Sequence, residues 1–447
     1  MSGIFGVVSK NDCAEILYYG TDYHSHLGTE YGGMAVLGKD FSRQIHNISY
    51  SQFKSKFYED IKRMKGNKGI GVISSLDEQP IYLKSHLGPF CIVTNGFIDN
   101  KETLAQQLLE KGISFSETSK GMVAKLISQE NDIVRGIESV FSLIEGSCSL
   151  LILSYEGIYA ARDRLGYFPL VVGKRADALA ITTETSAFPN LGFEIFKYLE
   201  PGEIVLINEE GLVEKIKGKD EKKQVCAFLW IYTGFPASNY EGINVETVRE
   251  RCGRFLAKRD KDINVDLVTG VPDSGIGHAL GYAMESGKPY RRPLVKYTPG
   301  YGRSYTPPSQ ETRDLIAKMK LIPIREIIQG KSIVVCEDSI VRGTQLKNFT
   351  IKKLWENGAK EIHIRVACPP LMFPCKFNFS TRTIHELAAR RAIRDLEGED
   401  IEDISDYLDV NSYKHKEMVN WIGKELEVTT LRYQRLEAVS YTHLTLP

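Results

Sequence analysis

The chain reads as a two-domain α/β protein, a strand-rich half of stacked antiparallel sheets followed by a half built on a parallel sheet. Three observations carry this reading. Short apolar runs separated by turn residues fill positions 1 to about 212, among them GIFGVV, GGMAVLG, GIGVI, FCIVTNG, CSLLILSY, PLVVG and EIVLI. Glu214 to Gln224, EKIKGKDEKKQ, carries Ile216 as its one apolar side chain and reads as a linker. Beyond it apolar strands alternate with helices: VDLVTGVPDSG leads into HALGYAMESG, KSIVVCEDSIVRG into TQLKNFTIKKLWENG, and EIHIRVACPP follows. That rhythm belongs to parallel sheets, whose ligands bind at the carboxyl ends of the strands.

Taken in order, residues 1–213 form the first domain, with one helix expected at Lys101 to Lys111, and 214–224 the linker. Residues 225–398 form the parallel domain. The remainder, 399–447, reads as helical: Met418, Trp421, Ile422 and Leu426 repeat at helical spacing, while SYTHLTLP has no such pattern and reads as a truncated end.

Length and charge narrow the function. A chain of 447 residues has ample core for several domains, and 57 basic against 57 acidic side chains give no electrostatic reason to expect nucleic acid or an anionic membrane as partner. No apolar run approaches the roughly 18 residues of a membrane span, and MSGIFGVVSK lacks a signal-peptide core, so a cytoplasmic protein is expected. The 8 cysteines include no CxxC pair; Cys91, Cys148 and Cys336 lie inside apolar strands and read as buried thiols.

The most chemical stretch is Ser332 to Thr344, SIVVCEDSIVRGT. A short apolar strand ends in Glu337 and Asp338 and opens a loop of Ser339, Arg342, Gly343 and Thr344. Adjacent carboxylates can face a ribose diol or Mg²⁺, while amides near a helix start, two hydroxyls and a glycine gap receive a phosphate. VPDSG, Val271 to Gly275, is a second tight turn after a strand, with Asp273 and Ser274 at its tip. KYTPGYGRSYTPPSQ, Lys296 to Gln310, reads as a loop able to close over an anion, and Arg303 lies in it. Lys320 in MKLIPIREII reads, from its residues alone, as a cation on the solvated face of a helix.

These motifs, in this order, resemble the type I phosphoribosyltransferases, and DSIVRGT resembles their glutamine PRPP amidotransferase branch. The resemblance covers about residues 225 to 436, including PPLMFPC from Pro369 to Cys375, and extends to residues 1 to about 212. It implies an N-terminal Ntn-hydrolase-like αββα sandwich, a class II glutamine amidotransferase fold, joined to a type I phosphoribosyltransferase sheet. It further implies a PRPP site with Glu337 and Asp338 on the ribose hydroxyls and Mg²⁺, and Ser339, Arg342, Gly343 and Thr344 on the 5′-phosphate. Asp273, Ser274, Arg303 and Lys320 would attend the diphosphate. Most relatives begin the acidic pair with Asp, so Glu337 is one methylene longer. Some place a metal-binding serine where this chain has Gly275, leaving Ser274 as the substitute.

In the first half the resemblance keeps the frame and loses the chemistry. Relatives begin with Cys after Met removal, since a terminal amine can serve the adjacent thiol as base; here the position is Ser2. Their HRGxE is His26, Leu27, Gly28, Thr29 and Glu30. Their GHTRYS corresponds to Gly71, Val72, Ile73, Ser74 and neighbours, without an arginine, and the aspartate for the glutamine amine aligns with Lys120. Asn95 and Gly96 match the oxyanion hole. Cys226 and Cys375 match two ligands of a [4Fe–4S] cluster found in one subgroup, whose other two come from a CxxC near its C-terminus. Four thiolates are required, so the expectation is that a full-length protein carries a cluster this truncated sequence cannot complete, the alternative being that the two cysteines are relics.

The resemblance therefore implies a cytoplasmic, PRPP-binding enzyme of purine synthesis that forms 5-phosphoribosylamine with ammonia rather than by its own glutamine hydrolysis. Feedback nucleotides, and a homo-oligomer or pairing with an active paralogue, are expected partners. The alternatives are a non-catalytic PRPP- or nucleotide-sensing paralogue and an N-terminal-serine amide hydrolase.

Overall fold

The computed structural model describes residues 2–113, 119–218, 223–297, 320–375, 377 and 383–439, with no side chains described for Ser119 and Lys120. The chain divides into two compact units, Met1–Cys226 with Ala237–Gly242, and Ala227–Pro236 with Ile243–Pro447.

Alternation along the strands builds the first unit. In Ser2–Ser9, Ile4 and Val8 point one way and Phe5 and Val7 the other. A seven-stranded antiparallel sheet runs in the order Glu194–Tyr198, Val171–Arg175, Ala178–Thr182, Ser2–Ser9, Lys68–Ser74, Tyr31–Leu37, Phe41–Asn47. A second, of six strands, runs Gly211–Ile216, Ile204–Asn208, Gly157–Ala161, Gly146–Ser154, Gly88–Ile98, Ile81–Ser85. Their inner faces meet through Ile4, Ile70 and Val72 of one sheet and Cys91, Val93 and Leu151 of the other. The outer face of the first sheet is covered by Ala14–Asp22 and Phe53–Ile61, that of the second by Lys101–Glu110, Ser119–Ile127 and Ile133–Leu143. This is the αββα sandwich, with antiparallel pairing throughout.

The second unit carries a four-stranded parallel sheet in the order Leu267–Gly270, Ser332–Glu337, Glu361–Val366, Thr430–Tyr433. Ser332–Glu337 is buried on both faces, which explains its unbroken apolar run. Ile333 and Val335 face one cluster with Ala388–Glu397 and Tyr413–Glu425; Val334 and Cys336 face another with Val245–Lys258 and Gly275–Ser286.

Two expectations differ from what folds. Glu214–Ile216, read as linker, completes the strand Gly211–Ile216; its charged side chains are tolerated because it is an edge strand with an exposed face. Thr430–Tyr433, read as part of a helical C-terminal segment, is a strand: the preceding helix ends at Glu425, and the β-branched pair Thr429–Thr430 opens an extended run paired with Glu361–Val366. Among the described residues no helix is long and apolar enough to cross a membrane.

The helices Val245–Lys258 and Gly275–Ser286 pack at backbone distance. A Cβ on Gly281 would lie 1.9 Å from the Glu250 carbonyl oxygen. Gly281→Ala is therefore expected to destabilise the protein by about 3 kcal/mol, although helix propensity alone favours Ala by about 1 kcal/mol. Denaturant unfolding checks this, and an unchanged or raised midpoint would refute the close packing.

Candidate functional site

Parallel pairing sets Gly270 beside Cys336, so the two motif loops leave the sheet side by side at its carboxyl edge. They are then joined by bonds. Val271 N–H donates to the Cys336 carbonyl at 3.0 Å, and Ser274 Oγ donates to Asp338 Oδ2 at 2.5 Å. A Cβ on Gly275 would stand 2.4 Å from the Cys336 oxygen, so this backbone excludes a serine there and the hydroxyl is supplied by Ser274.

Glu337 and Asp338 are buried, at 8 % and 5 % exposure. Ser339 Oγ donates to Asp338 Oδ1 at 2.6 Å, so both oxygens of Asp338 are held, and the Asp338 N–H donates to Glu337 Oε1 at 3.1 Å. Burial, and then the negative charge of Asp338, push the Glu337 carboxyl well above its ordinary value; the charge of Lys320 pulls the other way. Such an acidic pair suits a divalent cation that takes one or two carboxylates and completes its shell with water and substrate phosphate.

After Asp338 the loop turns through Gly343, whose φ of 80° favours glycine, and enters a helix at Thr344 that winds as a π-helical stretch over Leu346–Ile351. Among the described residues the backbone N–H groups of Ser339 to Gly343 carry no hydrogen bond within the chain. A row of loop amides of this kind is an arrangement that can receive an anion. Arg342 is ion-paired with Glu386, and Arg391 donates to the Arg342 carbonyl at 2.9 Å. A short antiparallel ribbon, Leu294–Lys296 with Leu321–Pro323, brings two cations to the acids: Lys296 pairs with Asp273, and Lys320 acts on Glu337.

The structure thus gathers Asp273, Ser274, Glu337, Asp338, Ser339 and Lys320, with Arg342, Gly343 and Thr344 on the adjoining loop. Arg303 lies outside the described residues. Glu386 and Lys296, the partners of Arg342 and Asp273, carried no sequence signal as partners, because both pairings are made across the fold.

In the first unit Ser2 and Ser74, each at a strand end, meet Asn95 from within the strand Gly88–Ile98. Ser2 N–H donates to Asn95 Oδ1 at 3.0 Å and Ser2 Oγ to Ser74 Oγ at 3.4 Å. A Cβ on Gly96 would fall 2.0 Å from the Ser147 carbonyl oxygen. Leu27 is buried, and Ser74 Oγ also accepts from Asp77 N–H at 3.2 Å. His26 Nε2 lies 2.8 Å from the buried Glu184 carboxylate, whose other oxygen accepts from Ser238 Oγ at 2.6 Å. The side chain of Lys120 is outside the described residues. Cys226 and Cys375 are half-buried cysteines, and no group of three or more His, Cys, Asp or Glu among the described residues is arranged to hold a metal. Two thiols supply half of the four ligands that an iron–sulfur cluster needs.

Comparison with known proteins places this geometry. A family profile described as a glutamine amidotransferase domain matches residues 69–190. The amidophosphoribosyltransferase of Bacillus subtilis is 32% identical over 400 residues, covering 87% of this chain and 83% of that protein. That of Methanocaldococcus jannaschii is 33% identical over 421 residues, covering 87% and 88%. The structure of the glutamine PRPP amidotransferase from B. subtilis complexed with ADP and GMP superposes with a TM-score of 0.84 at 29% identity, over 98% of this chain and 92% of that one. With two sheet units of the same architecture and this extent of identity, the chain belongs to the amidophosphoribosyltransferase family, enzymes of the glycosyltransferase type.

Proposed function

We propose that this protein binds PRPP with Mg²⁺ and forms 5-phosphoribosylamine in purine biosynthesis, taking free or partner-supplied ammonia instead of hydrolysing glutamine itself. The observation that carries the transfer half is the buried Glu337–Asp338 pair, held by Ser274 and Ser339 beside a row of loop amides that make no bond within the described chain.

In the reaction the bond from C1 to the diphosphate oxygen breaks and a bond from C1 to nitrogen forms, through an oxocarbenium-like ribose. Glu337 and Asp338 orient the ribose hydroxyls and are the residues that would hold the cation, whose chemistry is to neutralise the departing diphosphate. The amides from Ser339 to Gly343, with the Thr344 hydroxyl, hold the 5′-phosphate. Arg342 must leave Glu386 to join them. The Val271–Gly275 turn and Lys320 receive the diphosphate, with Arg303 as a further cation for it. Nucleotides such as those bound by the Bacillus relative are the proposed feedback ligands.

The loss of glutaminase rests on side chains. Ser2 replaces a thiol with a far less acidic hydroxyl, and a buried Leu27 and a hydroxyl at Ser74 stand where relatives carry arginines. Without a guanidinium, a glutamine carboxylate loses its charge-assisted partner. No step is assigned to Cys226 or Cys375.

Steady-state assays with PRPP test both halves. Pyrophosphate release is expected with ammonium and on the order of a hundredfold less with glutamine, the size of a lost charge-assisted contact. Efficient glutamine turnover would sink the lost-glutaminase reading, and no release at high ammonium would turn the assignment to a PRPP sensor. Asp338→Asn should abolish Mg²⁺-dependent PRPP binding in calorimetry; unchanged affinity would refute the placement of the site.

The acids also predict a pH dependence. The folded chain holds a proton on Glu337 that the unfolded chain releases near the ordinary value of 4.5, so this group's contribution to stability falls as pH rises above that value. Between about pH 5 and about pH 8 the melting temperature of Glu337→Gln should fall less than that of the wild type. Mg²⁺ should recover stability at the higher pH in the wild type alone. Equal pH responses in the two proteins would contradict the burial of an uncompensated pair.

A further inference from the structure

The helix Gly275–Ser286 follows directly on the Val271–Gly275 turn, and its seam with Val245–Lys258 is lined by glycine. Cβ atoms on Gly253 and Gly281 would lie 1.9 Å from the carbonyl oxygens of His278 and Glu250, and one on Gly277 would lie 2.8 Å from the Glu246 carboxylate. Glycines let the two backbones approach but supply no side chain to stop one helix sliding on the other.

His278 sits in this seam, wholly buried. Its Nδ1 is 3.2 Å from the Arg249 carbonyl oxygen and its Nε2 is 3.2 Å from that of Ile231. Ile231 belongs to the π-helical turn Leu229–Thr233, whose neighbouring carbonyls go to Arg249: Nε donates to Trp230 at 2.8 Å, and Nη2 to Tyr232 at 3.1 Å and to Gly234 at 2.9 Å. His278 and Arg249 together take the carbonyls with which this turn ends.

The ring can donate only once. Burial and the charge of Arg249 push its pKa down to about 4, against the pull of Asp338, so the neutral imidazole faces two acceptors with a single N–H. Of the two bonds, the one to Arg249 stays within the helix pair. The one to Ile231 leaves it, for a residue in the same apolar cluster as Val335 and Ile340, which flank Glu337 and Asp338.

We propose that His278 is a positioning residue for PRPP: its Nε2–H, donated to the Ile231 carbonyl, locks the diphosphate turn in register with Asp338. The inference rests on the PRPP reading of the site. A helix free to slide would carry Ser274 away from Asp338, a contact of 2.5 Å in the structure.

The test measures PRPP affinity with Mg²⁺ by calorimetry, and melting temperature, on the full chain and its His278→Gln, His278→Asn and His278→Ala variants. Glutamine can set its amide nitrogen near the Nε2 position and asparagine near the Nδ1 position. His278→Gln is expected to bind within about threefold of the wild type, while His278→Asn and His278→Ala weaken binding about tenfold or more, the worth of one buried hydrogen bond. Gln and Asn variants of equal affinity, or an Ala variant binding as the wild type, overturn the inference; should His278→Ala fail to fold, the Gln–Asn comparison decides it. A wild-type chain that binds no PRPP overturns the site reading and this inference with it. Wild-type binding with insensitive variants overturns the inference alone.

Discussion

The hydrogen bond from Ser274 to Asp338 depends on a close backbone approach, and the second unit is arranged around that approach. Gly275 sits so near the Cys336 oxygen that any side chain there would force the loops apart. The strand Ser332–Glu337 is buried on both faces, which delivers two carboxylates to the rim of the sheet with little water around them. The fold accepts this electrostatic cost at a place where a cation and a polyphosphate would relieve it.

The first unit depends on a different constraint, the convergence of two strand ends of one sheet on a strand of the other. Ser2, Ser74 and Asn95 are remote in sequence and meet because Ser2 pairs with Ser74 in one sheet while Gly88–Ile98 packs across from them in the other. This frame tolerates a change of side chains without a change of shape. Leu27 is buried in it, and a fold of this kind does not by itself fix the chemistry its side chains perform.

Much of the architecture was legible because it follows from periodicity. Short apolar runs parted by turn residues marked the sandwich strands, and apolar strands alternating with helices marked the parallel sheet. The failures lie where local pattern and tertiary pairing disagree. Glu214–Ile216 is charged and still forms a strand, since an edge needs a partner on one side only. Thr430–Tyr433 follows a helix closely enough to read as its continuation, and becomes a strand because Glu361–Val366 offers it a free edge.

At the site, the sequence by itself determined the chemistry: two adjacent acids, a phosphate-type loop and a glycine-rich turn, each a contiguous run whose residue types announce their ligand. It also determined which residues stand at the first unit's candidate positions, Ser2, Leu27 and Ser74. Only the tertiary structure decided that Ser274 holds Asp338, that Lys320 and Lys296 face the acids, that Glu386 engages Arg342, and that His278 lies between two carbonyls. Those contacts join segments tens to hundreds of residues apart, and a one-dimensional pattern records a residue's neighbours along the chain, not the partners that burial brings to it.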